Sequence, residues 1–296
     1  MSINNLVVLG SGLIGGSVAK SARESGVVNS VTVVNREMET SDRAVALGIA
    51  DIAKDYAQLS EVCAGLGQGD LVLVAVPVYT YASIFDQLGD LLPPGVILTD
   101  VGSTKAEVVN AAREHWLGDL NCFVPGHPIA GSEKSGVEAS DGQLFQKRRT
   151  IITPLEESSE LAINLVRDFW ESLGAEVDIM DVAHHDEILA ATSHLPHLLA
   201  YSLVDSLVTL DQSTEVFRYA AGGFRDFTRI AESDPVMWRD IFVANRDALL
   251  KQLENFEEHL KELHQAITDG DTQAIQSILE RAQAARKVFS ETSPKT

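Results

Sequence analysis

The chain has 296 residues, 45% of them hydrophobic, and carries 23 Lys and Arg against 43 Asp and Glu, a formal net charge of -20 with a pI near 4.7. That apolar content supplies cores for one large or two ordinary domains and excludes disorder as the main state. A surface so negative repels phosphate backbones and anionic lipid, so neither nucleic acid nor membrane is an expected partner.

Two cysteines, Cys63 and Cys122, are too few for a disulfide framework and form no metal-ligand cluster. No run reaches the ~18 apolar residues of a membrane span, and the start lacks a basic leader. The expectation is a soluble, cytoplasmic protein without a metal.

In chain order, Asn5 to Leu9, Val31 to Val34, Leu71 to Val76 and Val96 to Thr99 read as strands. Their apolar runs are continuous, as in parallel strands covered on both faces. Amphipathic stretches at Val18 to Glu24 and Ala44 to Leu47, the second stopped by Gly48, lie between them. Short runs at Cys122 to Val124, Thr150 to Thr153 and Glu176 to Ile179 are expected to extend the same sheet. Beyond about Met180 helical patterns take over. The boundary placed there gives an α/β dinucleotide-binding domain of Rossmann type over 1–180 and an all-α domain over 181–296.

Within the second part, Asp186 to Leu210 is apolar at helical spacing and carries Pro196, which should kink or divide it. Leu249, Leu253, Phe256, Leu260, Leu263 and Ile267 then recur at four- and three-residue steps, a coiled-coil-like seam in a helix expected from Pro235 to about Thr268. Such a helix, roughly 50 Å long at ~1.5 Å per residue, serves either an internal bundle or a contact with a second copy.

Gly10-Ser11-Gly12-Leu13-Ile14-Gly15 follows a strand and opens a helix, the context that gives this motif its meaning. Gly10 permits the tight turn, Gly12 lets a pyrophosphate approach the backbone, and Gly15 lets helix and strand pack closely. The helix N-terminus, from Leu13 and Ile14 onward, offers free N–H groups to the phosphates. Val76 and Pro77, at the end of the third strand, complete the cofactor-binding set. An NAD site has Asp or Glu after the second strand for the ribose hydroxyls. Asn35-Arg36 stands there instead, and a guanidinium pairs with a 2′-phosphate, so the reading leans to NADP. NAD stays open because Glu37 is one position away.

A second group of polar residues sits just past strand ends, where ligands bind in open α/β sheets. In Asp100-Val101-Gly102-Ser103-Thr104-Lys105, Ser103 is a candidate to bond a substrate hydroxyl or to cap the next helix, and Lys105 a phosphate or structural contact. His127 lies between two prolines and two glycines in Pro125-Gly126-His127-Pro128-Ile129-Ala130-Gly131, a stiff loop that suits an imidazole taking a proton from an alcohol. In the helical part, Ser193 and His197 share a face if the turn stays helical. Arg225 and Arg229 flank Asp226; surface pairing with Asp226 and Asp240 is worth little, whereas an arginine in a cleft gives bidentate recognition of a carboxylate. These histidines and arginines form the positive patch hidden in an acidic chain, and they suggest a small anionic substrate.

The sequences GSGLIGGS at Gly10 to Ser17, DVGSTK at Asp100 to Lys105, HPIAGSEKSG at His127 to Gly136, SHLPH at Ser193 to His197 and GGFRDFTRIAESDPVMWRD at Gly222 to Asp240 together resemble the prephenate/arogenate dehydrogenases of tyrosine biosynthesis. The resemblance covers essentially the whole chain. It implies a Rossmann-type domain, a helical domain that forms a homodimer, and an active site between them. It implies oxidative decarboxylation of prephenate to 4-hydroxyphenylpyruvate, or of arogenate to tyrosine, with hydride passing to the nicotinamide. By the same resemblance His127 accepts the ring hydroxyl's proton, and Ser103 bonds the same hydroxyl or positions His127. Arg229 binds a substrate carboxylate, His197 and Ser193 meet the side-chain end, Glu133 gates the mouth, Asp226 orients Arg229 or a histidine, and Trp238 closes the pocket. Two other readings stand beside it. A reductase of the β-hydroxyacid dehydrogenase type would need a catalytic lysine in the helical part, where Lys251 and Lys261 lie on a polar-looking helix. A non-catalytic NADP-binding sensor would not need His127, Ser103 and Arg229.

Overall fold

The computed structural model describes residues 3–131, 134–210 and 213–292. A six-stranded parallel sheet has the order β3-β2-β1-β4-β5-β6. Its strands are β1 (Ile3–Leu9), β2 (Val28–Asn35), β3 (Ile52–Asp55), β4 (Leu71–Val74), β5 (Ile97–Asp100) and β6 (Phe123–Val124). The interleaved helices are α1 (Leu13–Ser25), α2 (Met38–Ala46), α3 (Leu59–Ala64), α4 (Tyr81–Leu88) and α5 (Lys105–His115). Continuous apolar strands are explained by burial on both faces. Leu6 and Val8 of β1 join a core with Val18 and Ala22 of α1, while Val7 and Leu9 point the other way, into a core with Phe85 and Val108. The strand order reverses between β1 and β4, where ligands of such sheets bind past the carboxyl ends.

Of the three short runs expected to extend this sheet, only the first does so. Pro125 lacks the N–H that would continue β6, and its carbonyl accepts from Thr153 N at 2.8 Å. The chain turns there into a separate three-stranded sheet of β7 (Gly126–Pro128), β8 (Arg149–Ile152) and β9 (Glu176–Ile179). The helix α6 (Glu160–Ser172) lies between β8 and β9 in sequence and buries Phe169 and Trp170.

Helices follow β9. Pro196 falls in the first turn of α8 (Leu195–Val208), and a π-helical turn at Ala190–His194 separates α8 from α7 (Val182–Leu189). Next come α9 (Ser213–Arg218), α10 (Gly222–Thr228) and α11 (Pro235–Ala244). The single long helix expected from Pro235 is interrupted: Asn245 leaves helical geometry at φ -108 and ψ 34, and α12 (Arg246–Asp269) starts after it. By internal contacts the chain forms two compact units, 1–246 and 247–296. The second consists of α12 and α13 (Thr272–Thr292), joined through Gly270 in the left-handed region. Its seam residues are not all covered: Leu260 is 52% and Ile267 61% exposed. Among the described residues no helix is long and apolar enough to cross a membrane.

Candidate active site

The turn from β1 to α1 has the steric properties of a pyrophosphate cradle. A side-chain carbon at Gly10 (φ +95) would strike Ala75 O, and one at Gly15 would strike Gly10 O. One at Gly12 would meet nothing within 4 Å. Gly10 and Gly15 are therefore needed for packing, whereas Gly12 leaves open space beside the backbone. No side chain caps α1 and its first turn carries no acid, so these amides are available to an anion. Asn35 secures the turn from β2: Ser11 N donates to its Oδ1 at 2.8 Å, and its Nδ2 donates to Ser11 Oγ and Ser41 Oγ, each at 2.8 Å. The Arg36 side chain is 88% exposed and lies 3.4 Å from Glu37.

Across the switch point, Asp100 and Lys105 hold the segment that presents His127. The fully buried Lys105 donates to Asp100 Oδ2 and to Gly126 O, each at 2.6 Å. Gly126 N donates in turn to Asp100 Oδ1 at 3.0 Å. Both sides of the Gly126 peptide are thus pinned, and β7 pairs His127 with Ile151. Lys105 is accordingly the structural contact of the two roles open to it. Ser103 does not cap α5; that task falls to Asp186, whose carboxylate accepts from Lys105 N at 2.8 Å and Ala106 N at 2.9 Å.

Four histidines converge from three segments. His127 Nδ1 lies 2.9 Å from His185 Nε2, and His185 Nδ1 lies 2.8 Å from Asp186 Oδ1. His194, in the π-helical turn, has Nδ1 3.1 Å from Asn245 Nδ2, which also donates to Asp186 O at 2.8 Å. Because Asp186 O fixes the Asn245 amide as donor, His194 Nδ1 accepts and neutral His194 carries its hydrogen on Nε2. His197 Nδ1 donates to Ser193 O at 2.8 Å, and its ring stacks on Trp238 with centroids 3.5 Å apart. Burial lowers the proton affinity of all four. His127 is pushed well below the usual histidine range, first by burial and then by His185, Lys105 and His194. His194 is pushed down to about 4, again chiefly by burial. His127 is therefore a neutral base at neutral pH.

Two of the four, His127 and His194, open onto one cleft of about 710 Å³. Gly12, Leu13, Ile14 and Gly15 line it at one end, with Val76 and Pro77 beside them. Ser103 and His127 line its middle; Ser193, His194 and Trp238 close the other side. A dinucleotide on the glycine turn would thus share a cavity with a neutral imidazole and a serine hydroxyl. Among the described residues no group of His, Cys, Asp and Glu could hold a metal ion.

Comparison with known proteins identifies this arrangement. Residues 18–179 match the family model described as prephenate dehydrogenase, nucleotide-binding domain, and residues 181–281 match prephenate dehydrogenase, dimerization domain. The chain belongs to the prephenate dehydrogenase family. The cyclohexadienyl dehydrogenase of Zymomonas mobilis is 34% identical over 95% of this chain and 94% of its own length. The prephenate dehydrogenase of Lactococcus lactis is 36% identical over 97% of this chain and 78% of its own. The crystal structure of prephenate dehydrogenase from A. aeolicus in complex with hydroxyphenyl propionate and NAD+ superposes with a TM-score of 0.89 at 36% identity, covering 98% of this chain and 99% of that one. This family member is therefore an NAD(P)-dependent dehydrogenase.

Within this prephenate dehydrogenase fold the sequence-derived residues fall into three groups. Gly12, Leu13, Ile14, Gly15, Val76, Pro77, Ser103, His127 and Ser193 line the cleft. Gly10, Ser11 and Asn35 stand behind it as supports, and both amide hydrogens of Asn35 are used within the protein. His197 reaches the cleft through Trp238, whereas Asp226 on α10 and Arg229 just past its end are exposed and do not line it. Arg229 is close enough to His197 to lower its proton affinity, and Asp240 is met by Arg239 at 2.6 Å. Glu133 lies outside the described residues. Sequence reasoning missed His185, Asp186 and Asn245. The adjacent His185-Asp186 pair was the only available signal, and helical periodicity could not tell that this edge of α7 faces β7.

Proposed function

We propose that this enzyme oxidatively decarboxylates prephenate to 4-hydroxyphenylpyruvate, with arogenate as a second substrate of the same ring chemistry. The observation that carries this reading is a neutral imidazole, His127, pinned in the cavity that the glycine turn lines. Bound along Gly12 to Gly15, the nicotinamide cofactor supplies the hydride acceptor. His127 takes the hydrogen bond and then the proton of the ring hydroxyl as the ring carbon is oxidised. It returns that proton to the phenolate oxygen when loss of CO2 makes the ring aromatic. Ser103, on the same wall, orients the hydroxyl. His194 offers an Nε2–H donor, Trp238 covers the ring, and Ser193 meets the carboxylate-bearing side chain, while His197 backs Trp238 and Arg229 acts on His197 from outside the cleft.

Arg36 favours NADP, because it offers a guanidinium where an acid would repel the 2′-phosphate; NAD remains the competing acceptor. The exposed apolar residues of α12 and α13 fit a homodimer contact.

An assay of two substrates against two cofactors tests the reading. Reduction of NADP or NAD on adding prephenate is expected, and no turnover with either substrate would sink it. His127→Asn should lower kcat about a hundred- to ten-thousand-fold with the cofactor still bound. Arg36→Ala should weaken NADP far more than NAD, and an equal loss for both would contradict the 2′-phosphate role.

A further inference from the structure

His185 does not line the cleft and is wholly buried, yet its Nε2 lies 2.9 Å from Nδ1 of the His127 ring. We propose that His185, backed by Asp186, is a positioning residue that leaves Nε2 of His127 as the proton acceptor and transiently takes up the proton His127 receives. This rests on the reading of His127 as the acceptor.

The hydrogen positions follow one from another. The Asp186 carboxyl accepts from Lys105 N, Ala106 N and His185 Nδ1. Burial raises its proton affinity, but those bonds outweigh burial and hold it below the usual carboxylate range. An ionised carboxylate only accepts, so His185 carries hydrogen on Nδ1. Burial keeps His185 neutral despite the carboxylate, which leaves a lone pair on Nε2. Only a hydrogen on His127 Nδ1 can fill the 2.9 Å contact between them. The remaining lone pair of His127 is on Nε2.

The same chain gives the proton somewhere to go. Burial, Lys105 and His194 all oppose a cation on His127. As the substrate O–H bond breaks and a hydrogen bonds to His127 Nε2, the His127 Nδ1–H bond breaks and a hydrogen bonds to His185 Nε2. The positive charge then sits beside Asp186. Both transfers reverse when the phenolate oxygen forms, so no further donor or acceptor is needed. The groups facing His185 are His127 from β7, Asp186 from its own helix, Lys105 from α5, Asp100 from β5 and His194 from the π-helical turn. Burial and Lys105 oppose a cation there, and Asp186 and Asp100 favour it, which makes the uptake transient.

Nitrogen NMR of the resting protein with labelled histidine reads the tautomer without turnover, so its outcome is separate from the substrate assignment. A protonated Nδ1 and a bare Nε2 on His127 are expected; the opposite tautomer overturns the proposal. His185→Gln retains an acceptor for His127 Nδ1 but cannot take a proton. It should keep the His127 tautomer and the KM for prephenate while lowering kcat roughly 10–100-fold, the size of effect that removing a histidine's outer hydrogen-bond partner has at metal sites, and changing the pH profile of kcat. His185→Leu should in addition mix the tautomers. A His185→Gln enzyme with unchanged kcat and an unchanged pH profile would refute the proton uptake, whether or not His185→Leu folds.

Discussion

Four imidazoles within hydrogen-bonding or stacking reach of a single cavity would repel one another if charged, and burial removes the conflict by keeping them neutral. That has a price in acid. A histidine whose folded pKa is depressed contributes stability that is present above its unfolded value near 6.5 and is lost as pH falls towards the folded value. For His194, nearly inaccessible and held at about 4, the loss between pH 6.5 and 4 is worth roughly 3 kcal/mol. His127, His185 and His197 act in the same direction. The melting temperature should therefore be level from pH 8 to 7 and fall steeply below pH 6.5. A level curve down to pH 5 would contradict the neutral cluster. His127 was legible beforehand because its prolines and glycines are local, whereas His185 and Asp186 act on partners 58 and 81 residues away, which no local pattern records.

The first strand, turn and helix form an element whose glycines do different work. Gly12→Ala projects a methyl into open space, so it should leave the melting temperature nearly unchanged yet weaken dinucleotide binding. Gly15→Ala drives a methyl into the Gly10 carbonyl and should destabilise the fold itself. Equal thermal effects of the two would undo the distinction, and differential scanning with cofactor titration measures both. This turn was readable because Gly10 and Gly15 answer contacts within one strand–helix unit or with the neighbouring Ala75, and Gly12 leaves space at a fixed offset between them. The break between α11 and α12 was not. Asn245 departs from the helix with its side chain bound to His194 and to Asp186 O, 59 residues earlier. Apolar residues at helical spacing lie on both sides of it, Trp238 and Ile241 before and Leu249 and Leu253 after, without a proline or glycine to announce the interruption. The second sheet was hidden for a related reason: Thr150 to Thr153 and Glu176 to Ile179 have ordinary strand composition, and only the turn at Pro125 decides which edge they join.

At the scale of the molecule, the two compact units differ in charge as well as in structure. Residues 247–296 hold six Lys and Arg against nine Asp and Glu, a net of -3, so 1–246 carry the remaining -17 of the total -20. The exposed leucines and isoleucines of α12 and α13 therefore sit in the nearly neutral part of the chain, and two copies meeting through them would encounter little long-range repulsion. A dianionic substrate approaching the first unit meets the opposite condition. Its encounter is opposed within about a Debye length of the surface, roughly 10 Å at 0.1 M salt, and less as salt is added. Added salt should then raise kcat/KM for prephenate while leaving the subunit dissociation constant almost unmoved, the reverse of an enzyme that gathers its substrate by attraction. Stopped-flow rates and sedimentation across one salt series would read both, and a falling kcat/KM would mean that the local field of the cleft overrides the surface around it.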